Sequence, residues 1–216
     1  MQLDLIQVLR TSLQERYAID REVGHGGMAM VCRARDLERN QLVAIKVLHP
    51  ELAVAMGARR FLREIDILAR LQHPNILALL DSGMVEAVPE LQVPWYVMPF
   101  VEDSLRMRLR REGALPVETA LRFTREICGA LTLAHGQGYI HRDIKPENIL
   151  LSNDHAVLAD FGIARAITVA SGDTISTTGL LVGTPAYMSP EQSNSGSILD
   201  GRTDLYSLGV VLYEML

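Results

Sequence analysis

The sequence holds only two cysteines, Cys32 and Cys128, in 216 residues. Two thiols so far apart exclude a disulfide framework and a cysteine zinc site. No apolar run approaches the roughly 18–20 residues that cross a bilayer. The opening Met1-Gln2-Leu3-Asp4 lacks the basic stretch of a secretory signal. Positive charge is in deficit, with 21 Lys and Arg against 26 Asp and Glu, a net charge of −5. This argues against a nucleic-acid surface as the main function. Internal repeats and low-complexity tracts are missing, and 16 Gly with 9 Pro are ordinary usage, which excludes collagen-like chains. Disorder needs low hydrophobicity and high net charge, and a chain 48% apolar and 22% charged has neither. A cytoplasmic globular protein is expected, with one large domain or one domain in two lobes.

What is present falls into two textures. Residues 1–16 set Leu5, Leu9 and Leu13 four apart, an amphipathic leader helix. Strands are predicted over 17–23, 30–36 and 42–48, the last two joined by the turn Glu38-Arg39-Asn40. Residues 56–71 carry Phe61, Ile65 and Leu68 at helical spacing, and His73-Pro74-Asn75 stops them. Two more strands are expected at 76–85 and 93–101. A helix over 116–137 follows, with Pro116 near its start and Gly136 near its end. Short strand-like pieces occur at 139–141, 149–151 and 156–159, and 203–216 is a nearly all-apolar helix. The pattern predicts an α+β fold in two lobes joined near residue 100.

Five clusters carry chemistry. Gly24-His25-Gly26-Gly27 follows a strand, so it is either a plain hairpin turn or backbone approaching a phosphate. The apolar strand after it points to a hairpin lid over phosphates, since a dinucleotide site requires a helix there. In Val43-Ala44-Ile45-Lys46 the lysine is either a snorkelling strand end or a phosphate ligand held by a carboxylate. Glu64 is the candidate partner, with a solvated helix surface as the alternative. In His141-Arg142-Asp143-Ile144-Lys145-Pro146-Glu147-Asn148, Asp143 can accept a proton from a hydroxyl, and Asn148 offers a carbonyl oxygen suited to Mg²⁺. Asp160-Phe161-Gly162 is a turn or a hard-cation ligand. Gly183-Thr184-Pro185-Ala186-Tyr187-Met188-Ser189-Pro190-Glu191 closes a Ser/Thr-rich stretch.

In this order and at these gaps, the chain from about Tyr17 onward resembles the eukaryotic-type serine/threonine protein kinases, particularly those of bacteria. The resemblance implies a bilobal kinase fold, with a strand-rich N-lobe over 17–100 and a helical C-lobe over 101–216. It implies that Gly24, His25, Gly26, Gly27 and Val31 cover ATP, that Lys46 binds its α- and β-phosphates, and that Glu64 holds Lys46. Asp143 becomes the catalytic base, Lys145 steadies the γ-phosphate, and Asn148 and Asp160 hold Mg²⁺, or Mn²⁺ in its place. Met98, Phe100 and Val101 become the gatekeeper and hinge, while Val31, Ala44 and Leu150 sandwich adenine. The Lys145-containing run and Thr184 imply Ser/Thr hydroxyls of proteins as acceptors.

The resemblance also implies regulation in signalling. Arg142 is expected to pair with a phosphate on the segment 163–182, first on Thr178 or Ser176 and then on Thr177 or Thr174. A second copy of the kinase is the expected partner for trans-autophosphorylation. Ala29, Ser189 and Tyr206 are mild departures from the family pattern. The chain stops at Leu216 inside the helix that starts near Thr203, so the expectation is a C-lobe lacking its last helices, with Glu191 deprived of its usual arginine. The alternative is a catalytically impaired nucleotide-binding or scaffold remnant. A small-molecule phosphotransferase fits less well, because it rarely keeps both the Lys-Pro-Glu-Asn run and the Gly-Thr-Pro-x-Tyr segment. The arginines at 59–60 and 106–111 are expected to be solvated helix faces.

Overall fold

The computed structural model describes residues 4–26, 29–56, 65, 69–161, 185–193 and 199–216. The chain divides into two compact units, Met1–Arg70 with Ala78–Phe100 and Leu71–Leu77 with Val101–Leu216.

The first unit is built on five antiparallel strands, β1 (Tyr17–His25), β2 (Ala29–Asp36), β3 (Gln41–Leu48), β4 (Asp81–Val88) and β5 (Leu91–Pro99), in the order β1-β2-β3-β5-β4. Asp36 makes the β2–β3 turn, its Oδ1 accepting the N–H groups of Glu38 and Arg39 at 3.0 Å each. Asn40 completes it at φ 50°, a conformation asparagine tolerates. Alternation then sorts the side chains. Val43, Ile45 and Val47 face the core with Cys32, Ala34, Val93 and Val97, all without exposed surface. Helix α1 (Leu5–Leu13) closes this core with Leu5 and Leu9. Its first turn is capped by Asp4, whose Oδ1 accepts the N–H of Gln7 at 3.2 Å. A short helix α2 (Pro50–Met56) was not anticipated; it contributes Ala53 to the same core. Of the helix expected over 56–71, most lies outside the described residues; one helical bond, Ala69 N–H to Ile65 O at 3.0 Å, is present.

The second unit contains α3 (Leu105–Glu112), α4 (Val117–Gly136), α5 (Pro190–Ser193) and α6 (Arg202–Met215), with a small sheet β6 (Asp103–Ser104), β7 (Ile149–Ser152) and β8 (His155–Leu158). In α4 the stripe Ala120, Phe123, Ile127, Ala130, Leu131 and Ala134 is buried, the spacing of one helical face. Residues 71–77 belong here and not to the first lobe. Asn75 O accepts the N–H of Leu158 and Leu158 O accepts the N–H of Leu77, both at 2.9 Å. Those bonds to β8 also explain why the strand expected from 76 begins only at Asp81. Strand β5 ends at Pro99 and not at 101, because Pro99 is its last paired residue and Phe100 turns its N–H to Leu42 O at 3.3 Å. Residues 139–141 form no strand; the N–H of His141 is spent on a side chain. Both cysteines are free. Among the described residues no helix is long and apolar enough to cross a membrane.

Leu9 has no exposed surface and sits on the sheet. Leu9→Ala is therefore expected to lower stability by about 2–5 kcal/mol, read by urea unfolding. A loss within experimental error would mean that α1 does not belong to this core.

Candidate active site

The loop between α4 and β7 is held by one buried carboxylate. Asp204, near the start of α6, has no exposed surface. Its Oδ2 accepts the N–H of His141 and the Nε2–H of His135, each at 2.8 Å, and its Oδ1 accepts the N–H of Arg142 at 2.7 Å. Gly201 makes room for His135, since a Cβ there would stand 2.6 Å from the imidazole Nδ1. Arg142 adopts φ 65°, a strained conformation for a residue with a long side chain. The strain is held from both sides, by Asp204 on its N–H and by Gln192 Nε2 on its carbonyl at 2.9 Å. His141 is fully buried; its Nε2–H donates to Ala159 O at 2.9 Å, and Nδ1 accepts the N–H of Asp143 at 3.3 Å. Phe161 packs on its ring, with centroids 4.7 Å apart.

This frame aims Asp143. Its Oδ2 accepts from Lys145 Nζ at 2.7 Å and from Asn148 Nδ2 at 2.9 Å. Asn148 also donates to Asp143 O at 2.8 Å. With its amide hydrogens committed, Asn148 has its side-chain carbonyl left as an acceptor, a hard oxygen of the kind Mg²⁺ and Mn²⁺ take. Asp160 follows Ala159, whose N–H donates to Asn148 O at 2.9 Å, so its backbone runs beside Asn148. Asp160 itself lies at φ 59°. The donor set Asn148 and Asp160 thus fits a hard divalent cation.

In the first unit, register places the sequence-selected residues on one face. Gly24 pairs with Val31, Val31 with Lys46, Ala44 with Met98, and Lys46 with Tyr96. Residues directly opposite share a face, so Gly24, Val31, Ala44, Lys46 and Met98 line the side away from α1. Lys46 Nζ lies 6.0 Å from the centre of the Tyr96 ring. His25 bonds Glu22 through Nδ1 at 2.9 Å and stacks against His49, which reaches Gly26 O at 2.8 Å. Phe100 is half-buried, with Arg33 over its ring. Val101 and Leu150 belong to the second unit, where Leu150 pairs with Ser104 in β6. Gly27, Glu64, Thr174, Ser176, Thr177 and Thr178 lie outside the described residues.

Glu191, expected to lack its arginine, accepts a hydrogen bond from Thr203 Oγ1 at 2.9 Å. One expectation needs correction. Arg106 and Arg108 are not solvated; their side chains are 18% and 20% exposed. Arg106 donates from Nε to Glu147 at 2.8 Å, from Nη1 to Glu214 at 2.5 Å, and from Nη2 to the Tyr187 hydroxyl. Burial and the bond to Glu214 push the Tyr187 hydroxyl up to about 12. Burial acts to raise Glu214, but the bonds from Arg106 and Tyr187 prevail and hold it below its ordinary 4.5. Sequence reasoning missed Asp204, His135 and Glu214 as parts of the site, while Tyr187 lay in the run from Gly183 to Glu191; the polar Thr203-Asp204 pair opening an apolar helix was the one signal for Asp204.

The sequence profile of the protein kinase domain matches residues 17–216. The chain belongs to the protein kinase family. The serine/threonine-protein kinase PknB of Mycobacterium tuberculosis is 43% identical over 207 residues, covering 94% of this chain and 33% of that protein. The serine/threonine-protein kinase pkn3 of Myxococcus xanthus is 37% identical over 220 residues, covering 99% of this chain and 40% of that protein. The chain thus spans well under half the length of these relatives. Among solved structures, Rad53 1–466 in complex with AMP-PNP matches with a TM-score of 0.73 at 27% identity, over 94% of this chain and 49% of that one. The fold is the protein kinase fold.

Asp204→Asn replaces one acceptor oxygen by an amide facing a backbone N–H. A stability loss of about 1–3 kcal/mol per stranded donor is expected in urea unfolding; an unchanged midpoint would sink the anchoring role. Because Glu214 is held below its ordinary value, its contribution is complete above about 4.5 and is lost as pH falls through the lowered value. The melting-temperature gap between wild type and Glu214→Gln should therefore shrink on acidification below 4.5. A gap that stays constant would contradict this.

Proposed function

We propose that this chain is the catalytic domain of a serine/threonine protein kinase, transferring the γ-phosphoryl group of ATP to Ser or Thr hydroxyls of protein substrates. The observation that carries the reading is the Asp143 carboxylate, bonded by both Lys145 and Asn148 on a loop whose strain is held by Asp204. Support comes from the likeness to serine/threonine-protein kinases and to a kinase solved with AMP-PNP.

Phosphoryl transfer leaves little covalent work to a protein; positioning and charge neutralisation dominate. In the proposed reaction the acceptor hydroxyl oxygen bonds to the γ-phosphorus as the bond from phosphorus to the ADP oxygen breaks. Asp143 orients the hydroxyl and takes its proton. Lys145 neutralises charge on the transferring group, and its bond to Asp143 keeps it beside the proton acceptor. Lys46, with Glu64 as its partner, holds the α- and β-phosphates. Gly24, His25, Gly26 and Gly27 offer backbone over the phosphates, while Val31, Ala44, Met98, Phe100, Val101 and Leu150 make the apolar adenine contacts. Asn148 and Asp160 would hold Mg²⁺, or Mn²⁺, which when bound offsets phosphate charge.

Regulation belongs to the same proposal. Arg142 is half-buried beside Asp143, so a phosphate at Thr178, Ser176, Thr177 or Thr174 would meet a cation next to the site. A second copy of the kinase is the proposed agent of that phosphorylation, and the cytoplasm, where ATP is abundant, the proposed location.

Incubating the 216-residue chain with labelled ATP, Mg²⁺ and a generic basic protein tests both parts. Wild type should label the protein, and Asp143→Asn should reduce labelling by at least about 10³-fold while nucleotide still raises its melting temperature. Nucleotide-dependent melting without wild-type turnover would favour a non-catalytic nucleotide-binding domain. Mass spectrometry of the same sample should find phosphate between residues 168 and 178; its absence there would remove the autophosphorylation proposal.

A further inference from the structure

Arg106 is a charged residue that the second unit has drawn inside. It follows the fully buried Leu105 at the start of α3 and keeps only 18% of its side chain exposed. All three guanidinium nitrogens are used, and the partners come from three separate stretches of chain. Glu147 is 41 residues away, Tyr187 81 residues and Glu214 108 residues. Glu214 takes the guanidinium with both oxygens, the second at 3.3 Å. It also accepts the Tyr187 hydroxyl.

Two of these partners border the reacting groups. Glu147 lies in the single turn Pro146–Asn148, between Lys145 and Asn148, whose side chains both bond Asp143. Tyr187 shares a small recess with Asp143, Met188 and Gln192. Its backbone is tied down separately, its carbonyl accepting Ser207 Oγ at 2.6 Å. The ring end of Tyr187 is thus held by the guanidinium and Glu214, and the turn that presents Asn148 is held by the same guanidinium through Glu147. Without Arg106, Glu147 and Glu214 would lose the one cation that bonds both, and with it the link between the turn and the tyrosine.

We infer that Arg106 is a positioning residue: one guanidinium holds Tyr187, which borders the recess beside Asp143, in register with the turn carrying Glu147 and Asn148. It therefore acts on the protein-substrate side of the reaction. This rests on the kinase reading above and extends it to a residue that touches none of the reacting atoms.

The test uses Arg106→Gln, Arg106→Lys, Tyr187→Phe and the double variant Arg106→Gln/Tyr187→Phe in the 216-residue chain. Arg106→Gln should lower kcat/KM for the protein acceptor at least about tenfold, within the roughly hundredfold that a 1 Å misplacement costs. The KM for ATP should stay at the wild-type value. Arg106→Lys should recover part of the loss, since an ammonium can serve one partner but not the fork of three. The double variant should be no worse than Arg106→Gln, because both changes break the same brace. A lower melting temperature with acceptor kinetics unchanged would overturn the inference, as would an equal rise in the KM for ATP or losses that multiply. Hydrogen exchange reads the brace without turnover. Arg106→Gln should speed exchange in 146–149 and 185–193 together while 155–158 keeps its protection. Exchange rising in only one of the two segments would overturn the brace. An inactive wild type with this exchange pattern would instead remove the kinase reading and leave the brace standing.

Discussion

The second unit depends on a carboxylate that has no contact with solvent. Taking Asp204 out of water costs several kcal/mol. Three donors, at about 1.5–3 kcal/mol each for bonds to a charged group, are of the size needed to offset that cost. The geometry is more instructive than the sum. Two of the donors are consecutive backbone N–H groups, those of His141 and Arg142, and such a pair can meet one carboxylate only if the chain turns sharply there. The positive φ at Arg142 is that turn. Asp143 comes next in the chain, so its direction follows from a hydrogen-bond requirement set sixty residues later.

The first unit is governed by a different constraint, the two-residue period of a strand. Once Val43, Ile45 and Val47 are committed to the core under α1, Ala44 and Lys46 must face the other way. Register then brings Val31 and Met98 beside them from the neighbouring strands. The same apolar pattern that stabilises the sheet therefore decides which side chains face away from the core.

Polar brackets over long separations recur in the second unit. Asp204 and Glu214 both sit on α6, one at its first turn and one at its last. The first holds the loop entering the site, and the second holds Arg106 and Tyr187. A helix is a rigid rod with a rise of about 1.5 Å per residue. Ten residues thus set the two backbone positions about 15 Å apart along the axis.

Much of this was legible in residue order. The strands of the first unit, the helix before the loop, and the run from His141 to Asn148 declare themselves because periodicity, turn residues and dense polar clusters are local properties. Asp143, Asn148, Asp160 and Lys46 could be singled out for the same reason. The exchange of residues 71–77 to the second unit was not legible, because it depends on bonds to Leu158. The inward turn of Arg106 was equally hidden, since an arginine-rich helix reads as a solvated face until its distant carboxylates are known. Asp204 and Glu214 lie in a helix that reads as nearly all apolar, with no sign of their distant partners. What the amino-acid order determined by itself is which side chains the chemistry has at its disposal and which short elements carry them. What only the tertiary structure decided is how those side chains are aimed, because the groups that aim them are brought together by packing across tens to a hundred residues, a distance that local preference does not encode.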